Sequence, residues 1–154
     1  MNSIDGEDGE IETETVRTVI VAAKIENVFD LYEASRGQIT DDKVRRIEVA
    51  DARVDTGATL LAMPKPLIEQ LGIAQIGTGR ARTTVGLSTF GIFGPVRLTI
   101  QGRSCSVDVS ELAKDCPVLI GYVPLELLDF VVNPKGQSLI GNPEHGGEFM
   151  FDMF

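Results

Sequence analysis

The sequence predicts a mainly β domain, a barrel or a sandwich, on three observations. Short β-branched runs recur along most of its 154 residues, glycines break them at close intervals, and only two segments carry a helical signature. The length suits one domain, and 43% apolar residues is ordinary for a globular core. Mean hydropathy is near zero, and no run of about 18 apolar residues is present, so no membrane-spanning helix is expected.

Each segment follows from its pattern. The opening "MNSIDGEDGEIETETV" carries Asp5, Glu7, Asp8, Glu10, Glu12 and Glu14 and lacks the basic-then-apolar order of an export signal. Residues 1–15 are therefore expected to be an acidic, disordered tail. "VRTVIVAAKI", Val16 to Ile25, reads as a strand, followed by a polar connection through Gly37 and "TDDK". In "VRRIEVADARV" the alternation at Ile47 and Val49 shifts phase to Ala52 and Val54, which predicts a bulge near Asp51. "TLLAM" is a short buried strand. "PKPLIEQLG" is a short helix, with an early proline, Leu67 and Leu71 four apart, and Gly72 as its stop. From Ile73 to Val109 all is strand and turn. "PVLIGYVPLELLDF" gives a buried strand and a second helix beginning near Pro124, and "FVVNPKGQSLI" a hairpin. The domain is expected over residues 16–142, with 143–154 as an apolar C-terminal tail that pairs with a neighbouring chain, covers an edge strand or stays disordered.

Composition narrows the function classes. A net charge of −9 argues against nucleic acid as the main partner, because neutralising phosphates takes a surplus of Lys and Arg, although much of that charge sits in the tail. Cys105 and Cys116 are too few for a disulfide scaffold, and with no export signal a reduced, cytoplasmic setting is expected. His145 is the only histidine, which argues against a histidine-based triad or a typical zinc site and leaves it expected in solvent. "GTGRAR" has Arg82 where a dinucleotide fingerprint needs glycine, and Arg80 and Arg82 are expected on an exposed strand face.

The stretch that asks for chemistry is "VDTGATLLAMP", Val54 to Pro64: an acid, a hydroxyl and a glycine between apolar runs. A surface turn is one reading. A phosphate-cradling loop of the actin and sugar-kinase type also matches "DTGAT", but the roughly 95 residues after it are too few for the second domain that architecture needs. The third reading rests on more of the chain. "VDTGAT" resembles the active-site loop of the retropepsin-like aspartic proteases. "RTTVGLSTFGIFGPV" follows where that family has a hairpin flap. Leu119-Ile120-Gly121, leading into a short helix, matches its hydrophobic–hydrophobic–Gly element. The resemblance spans roughly Val16 to Pro143.

It implies a closed β-barrel with a flap hairpin and one or two short helices, active as a homodimer, hydrolysing peptide bonds without metal or cofactor. The partners would be a polypeptide substrate and a second copy of the chain, with no membrane involved. In that family two aspartates about 3 Å apart would repel by roughly 5 kcal/mol at an effective dielectric near 20, so they share one proton and divide the roles of acid and base. This chain holds a single D-T/S-G, since Asp108 and Asp129 lack the following hydroxyl and glycine. The resemblance therefore implies that Asp55 meets its own copy across a two-fold axis. By position, Asp55 would be the acid–base carboxylate and Thr56 would brace the loops across the axis. Gly57 would allow the tight turn, and Ala58 would line the cleft. Thr84, Val85 and Gly86 would form the flap tip, and Leu119, Ile120 and Gly121 would support the loop.

Retroviral members pair an acid just past the motif with an arginine after the glycine. Here those places read Thr59-Leu60 and Gly121-Tyr122, so both partners are missing together. With Met1 and the acidic lead, this points to the free-standing cellular branch. The rival expectation is a catalytically silent dimeric barrel that binds peptides or serves assembly.

Overall fold

The computed structural model describes residues 18–151 except 134 and 136; the acidic tail expected over 1–15 lies outside them. The strands are β1 (Val19–Asn27), β2 (Arg46–Val54), β3 (Leu61–Pro64), β4 (Gln75–Thr83), β5 (Gly86–Ile100), β6 (Arg103–Leu112), β7 (Leu119–Ile120), β8 (Phe130–Asn133) and β9 (Ser138–Gly141). Seven of them form one sheet in the order β1-β2-β7-β3-β6-β5-β4, and an additional β1–β5 pairing joins the first strand to the sixth in that order. β8 and β9 form a separate hairpin whose turn falls partly outside the described residues. Among the described residues no helix is long and apolar enough to cross a membrane.

β1 shows why these segments are strands. It buries Val19, Val21, Ala23 and Ile25 on one face while Ile20 and Ala22 face out, the period-two alternation of a half-buried strand. Its partner β2 carries the expected bulge: Val21 pairs with Ala52 and Ala23 with Val49, so Ala22 alone faces Ala50 and Asp51. That extra residue swaps the inward face from Ile47 and Val49 to Ala52 and Val54, and it sets the direction in which Val54 hands the chain to Asp55. Leu61, Met63, Leu98, Ile100, Val109 and Ile120 complete a core with essentially no exposure. Each such Leu or Ile contributes roughly 1.5–3 kcal/mol by burial.

Three α-helices are present among the described residues, not the one or two expected: α1 (Val28–Ser35), α2 (Lys65–Leu71) and α3 (Tyr122–Leu127). α2 ends at Gly72 with φ 66°, as its sequence implies, but it buries Ile68 and Leu71 and leaves Leu67 half-buried. α3 starts at Tyr122, two residues before Pro124.

α1 occupies the supposed polar connection. Asn27 caps it, its Oδ1 accepting the Asp30 N–H at 3.0 Å while its Nδ2 donates to the Leu71 carbonyl at 2.8 Å. Asp30, buried in the first turn, receives Nε and Nη2 of Arg45 at 2.8 and 3.0 Å and the Arg45 N–H at 2.9 Å. The helix is thus held by polar bonds to the chain before β2 and to the end of α2, which no hydrophobic periodicity reports.

The Arg45 side chain, with further help from its N–H, holds the Asp30 carboxyl below the usual carboxylate range against the opposing effect of burial. A group with a depressed folded pKa stabilises the fold above its unfolded pKa and loses that contribution as pH falls through the folded one. Asp30→Asn should therefore cost about 1–2 kcal/mol at neutral pH. The gap to wild type should narrow below the ordinary carboxylate range, as read by urea unfolding at several pH values.

Candidate active site

The loop after β2 is fixed by backbone bonds on both sides. Asp55 donates its N–H to the Ile120 carbonyl at 2.9 Å, and the Ala58 N–H returns to the Asp55 carbonyl at 3.0 Å. Within this turn the Gly57 N–H donates to Asp55 Oδ1 at 3.0 Å, which orients the carboxylate. A Cβ on Gly57 would stand only 3.3 Å from that oxygen. On the other side, N–H groups of Gly121, Tyr122 and Val123 each donate at 3.0 Å, to the carbonyls of Leu60, Ala58 and Thr59 respectively. These amides are the donors that the start of a helix leaves without internal partners, and the loop supplies them.

Gly121 makes that contact possible. A Cβ there would meet the Leu60 carbonyl oxygen, and would lie 2.7 Å from both the Ala58 oxygen and the Thr59 carbonyl carbon. All three are backbone atoms without freedom to rotate away. β7 fixes the pairing: it runs parallel to β2 (Val54 with Ile120) and antiparallel to β3 (Leu61 with Ile120), so two residues join the strands that enter and leave the loop.

Asp55, Thr56 and Gly57 are exposed, and Ala58 is half-buried. Among the described residues no Lys, Arg or His forms an ion pair with Asp55. Beside the loop lies a groove of about 460 Å³, lined by Ala58, Leu60 and Leu119 on one side and by Ala81, Phe90 and Ile92 of the β4–β5 hairpin on the other. The hairpin turns at Thr84 and Val85, with Thr83 paired to Gly86. Thr83 Oγ1 donates to the Gly86 carbonyl at 2.8 Å and accepts the Val85 N–H at 3.3 Å, and Val85 is 95% exposed at the tip. Thus Asp55–Ala58 form the loop, Thr84–Gly86 the hairpin tip, and Leu119–Gly121 the strand β7 and the helix cap beneath the loop.

The sequence carries no local signal that Phe90, Ile92 and Ala81 line a groove. The alternation of Phe90 and Ile92 marks one strand face, but only long-range pairing shows that this face looks toward the loop. Arg80 and Arg82 are exposed, as expected. Among the described residues no cluster of His, Cys, Asp and Glu could hold a metal ion. Cys105 is a free thiol whose pKa burial raises to about 11.

His145 corrects its expectation. Instead of facing solvent it lies with Nδ1 2.7 Å from Asp129 Oδ2, its side chain 23% exposed. The Asp129 carboxylate also accepts the Met150 N–H at 3.2 Å and Asn142 Nδ2 at 3.3 Å. Its pKa is lowered first by the His145 contact, against a smaller effect of burial. The Arg103 guanidinium stands 4.5 Å from the Phe130 ring centroid and 5.3 Å from that of Phe149, so the last described residues fold back on their own chain.

No protein-family model matches the chain, and no curated protein matches it. Among solved structures it is similar to the solution structure of Simian Foamy Virus (mac) protease, with 18% identity over 71% of this chain and 93% of that one and a TM-score of 0.44.

Gly121→Ala should be costly, because a methyl forced against fixed backbone carries an overpacking penalty of about 1–3 kcal/mol or more. Thermal unfolding should show the loss. A Tm unchanged from wild type would mean that the loop is not seated on this strand.

Proposed function

We propose that the chain is a retropepsin-like aspartic endopeptidase of the free-standing cellular branch, working as a cytoplasmic homodimer with one Asp55 from each subunit. Its β1–β5 pairing would close the main sheet as the barrel of that fold. The observation that carries the proposal is the setting of Asp55. A carboxylate is exposed without an ion-pair partner among the described residues, yet it is held by the Gly57 N–H and mounted on a loop clamped from both sides, beside an apolar groove walled by a hairpin. Rigid support of a solvent-facing acid is what a reacting group needs, and a surface turn does not.

In the dimer one Asp55 carboxylate takes a proton from a water molecule while its protonated twin gives a proton to the scissile carbonyl oxygen. Water adds to the carbonyl carbon and yields a neutral gem-diol. The proton taken from water then passes to the amide nitrogen, the C–N bond breaks, and the gem-diol proton returns to the pair. Two carboxylates this close share one proton, as known for paired-aspartate proteases. Thr56, exposed beside Asp55, would brace the two loops across the axis. The peptide lies extended along the groove, adding a strand beneath the hairpin tip at Thr84–Gly86.

Denatured polypeptide incubated with the protein between about pH 4 and 7 tests this. Asp55→Asn should lower cleavage by about a thousandfold or more at equal dimer concentration, and the active species should have twice the 16.7 kDa chain mass. Equal cleavage by both proteins would remove Asp55 from the mechanism. No cleavage by a proven dimer would favour a peptide-binding module instead.

A further inference from the structure

The hairpin over the groove has an unusual root. From Gly86 to Gly91, β5 pairs only with β4 among the described residues; from Ile92 onward it also pairs with β6, beginning with Ser110. β6 in turn diverges toward β3, which it meets over Val109–Leu112. At this fork the ladder would next join Gly91 to Glu111. The bond present is instead made by the Glu111 side chain, whose Oε1 accepts the Gly91 N–H at 2.8 Å.

Two bulges lie just on the core side of the fork. On β4, Ile76 is extra between the Gln75–Phe93 and Gly77–Ile92 pairs, and Gln75 Nε2 donates across it to the Gly77 carbonyl at 3.1 Å. On β5, Gly94 and Pro95 together face the single residue Asp108, between the Phe93–Val109 and Val96–Val107 pairs. Bulges interrupt a ladder and bend it, so regular backbone pairing is weakest at this root. Gly91 is buried there: a Cβ would lie 2.7 Å from Phe93 Cε1, 2.8 Å from Glu111 Oε1 and 3.1 Å from Gln75 Nε2. Among the described residues no cation pairs with Glu111, so this N–H is its ordered partner.

We infer that Glu111 is a positioning residue for the hairpin: by holding the Gly91 N–H it sets the angle at which Ala81 and Phe90 stand over the groove. The effect on turnover rests on the proteolytic reading above, whereas the bracing itself does not. A carboxylate accepting a backbone N–H is a strong bond of the charge-assisted kind, and its side-chain linkage yields by rotation where a backbone ladder would not. The hairpin is thereby held at rest and remains free to lift for an entering chain.

Amide hydrogen exchange resolved by residue in the full chain tests the inference, beside the polypeptide-cleavage assay. In Glu111→Ala, exchange at Gly91 and along the hairpin should quicken about tenfold or more, as expected for loss of a bond to a charged group. The β1 and β2 amides should keep their rates. Glu111→Gln should stay within about threefold of wild type, because its amide oxygen still accepts the bond. In cleavage, Glu111→Ala should raise KM about three- to tenfold with a smaller change in kcat, and Glu111→Gln should restore it. Unchanged hairpin exchange in Glu111→Ala, a uniform rise over the whole sheet, or a glutamine variant as fast as the alanine one would each overturn the inference. Should the alanine variant not fold, Glu111→Asp, one methylene too short to reach, is read in its place. Wild-type protein that cleaves nothing would sink the proteolytic reading while the exchange rates still decide the role of Glu111.

Discussion

The site depends on one close backbone contact, the seating of the Ala58–Leu60 carbonyls on the amides of Gly121, Tyr122 and Val123. Only a residue without a side chain fits at the first of those positions. The contact also solves two problems at once. It satisfies donors that the short helix α3 could not satisfy internally, and it fixes a loop that has no regular structure of its own. Because β7 pairs with both β2 and β3, the loop is bounded by a single piece of sheet, and Asp55 inherits the rigidity of the core.

The buried carboxylates and Asp55 are held in opposite ways. Glu26, Asp30 and Asp129 are buried, and each faces a cationic or imidazole partner: Arg46 at 2.9 Å, Arg45 at 2.8 Å and His145 at 2.7 Å. Burying a charge without such a partner is expensive, so these acids are explained by the fold they join together. Asp55 is the reverse case. It is exposed, it accepts a backbone N–H from its own turn, and the loop around it is better ordered by hydrogen bonds than a solvent-facing turn requires. That contrast separates an acid that holds the fold from one that the fold holds.

Part of this was legible in the sequence because it was written in local patterns. The phase shift from Ile47 and Val49 to Ala52 and Val54 reported the bulge, and Gly72 marked the end of α2; the hairpin turn at Thr84 and Val85 lies within "RTTVGLSTFGIFGPV", which reads as a hairpin through its resemblance alone. Features that rest on distant partners were not legible. α1 depends on Asn27 reaching the Leu71 carbonyl and Asp30 reaching Arg45, and neither contact has a periodicity. His145 looked like a glycine-rich surface residue because Asp129, sixteen positions earlier, comes beside it only after β8 and β9 pair. Phe90 and Ile92 read as strand residues, while the loop they face is set by the sheet order. The early start of α3 has the same origin: the loop carbonyls recruit the amides from Gly121 to Val123, so the helix begins before its proline.

Loop and hairpin face each other across the same groove but are held by different kinds of bond. The loop is clamped by backbone bonds on both flanks, to the Ile120 carbonyl and to the amides of Gly121, Tyr122 and Val123. The outer hairpin pairs with no third strand among the described residues, and it has two bulges at its root and one side-chain bond from Glu111. Under the proposed function this division has a physical reason. A proton transfer tolerates little error in the position of the carboxylate, so that position belongs on inflexible backbone. A polypeptide must pass under the cover before it can be cut, so the cover needs an attachment that yields at modest cost and returns to one angle. A stiffer hairpin would slow entry and a looser loop would misplace the acid, so each element carries the kind of bond that its task tolerates.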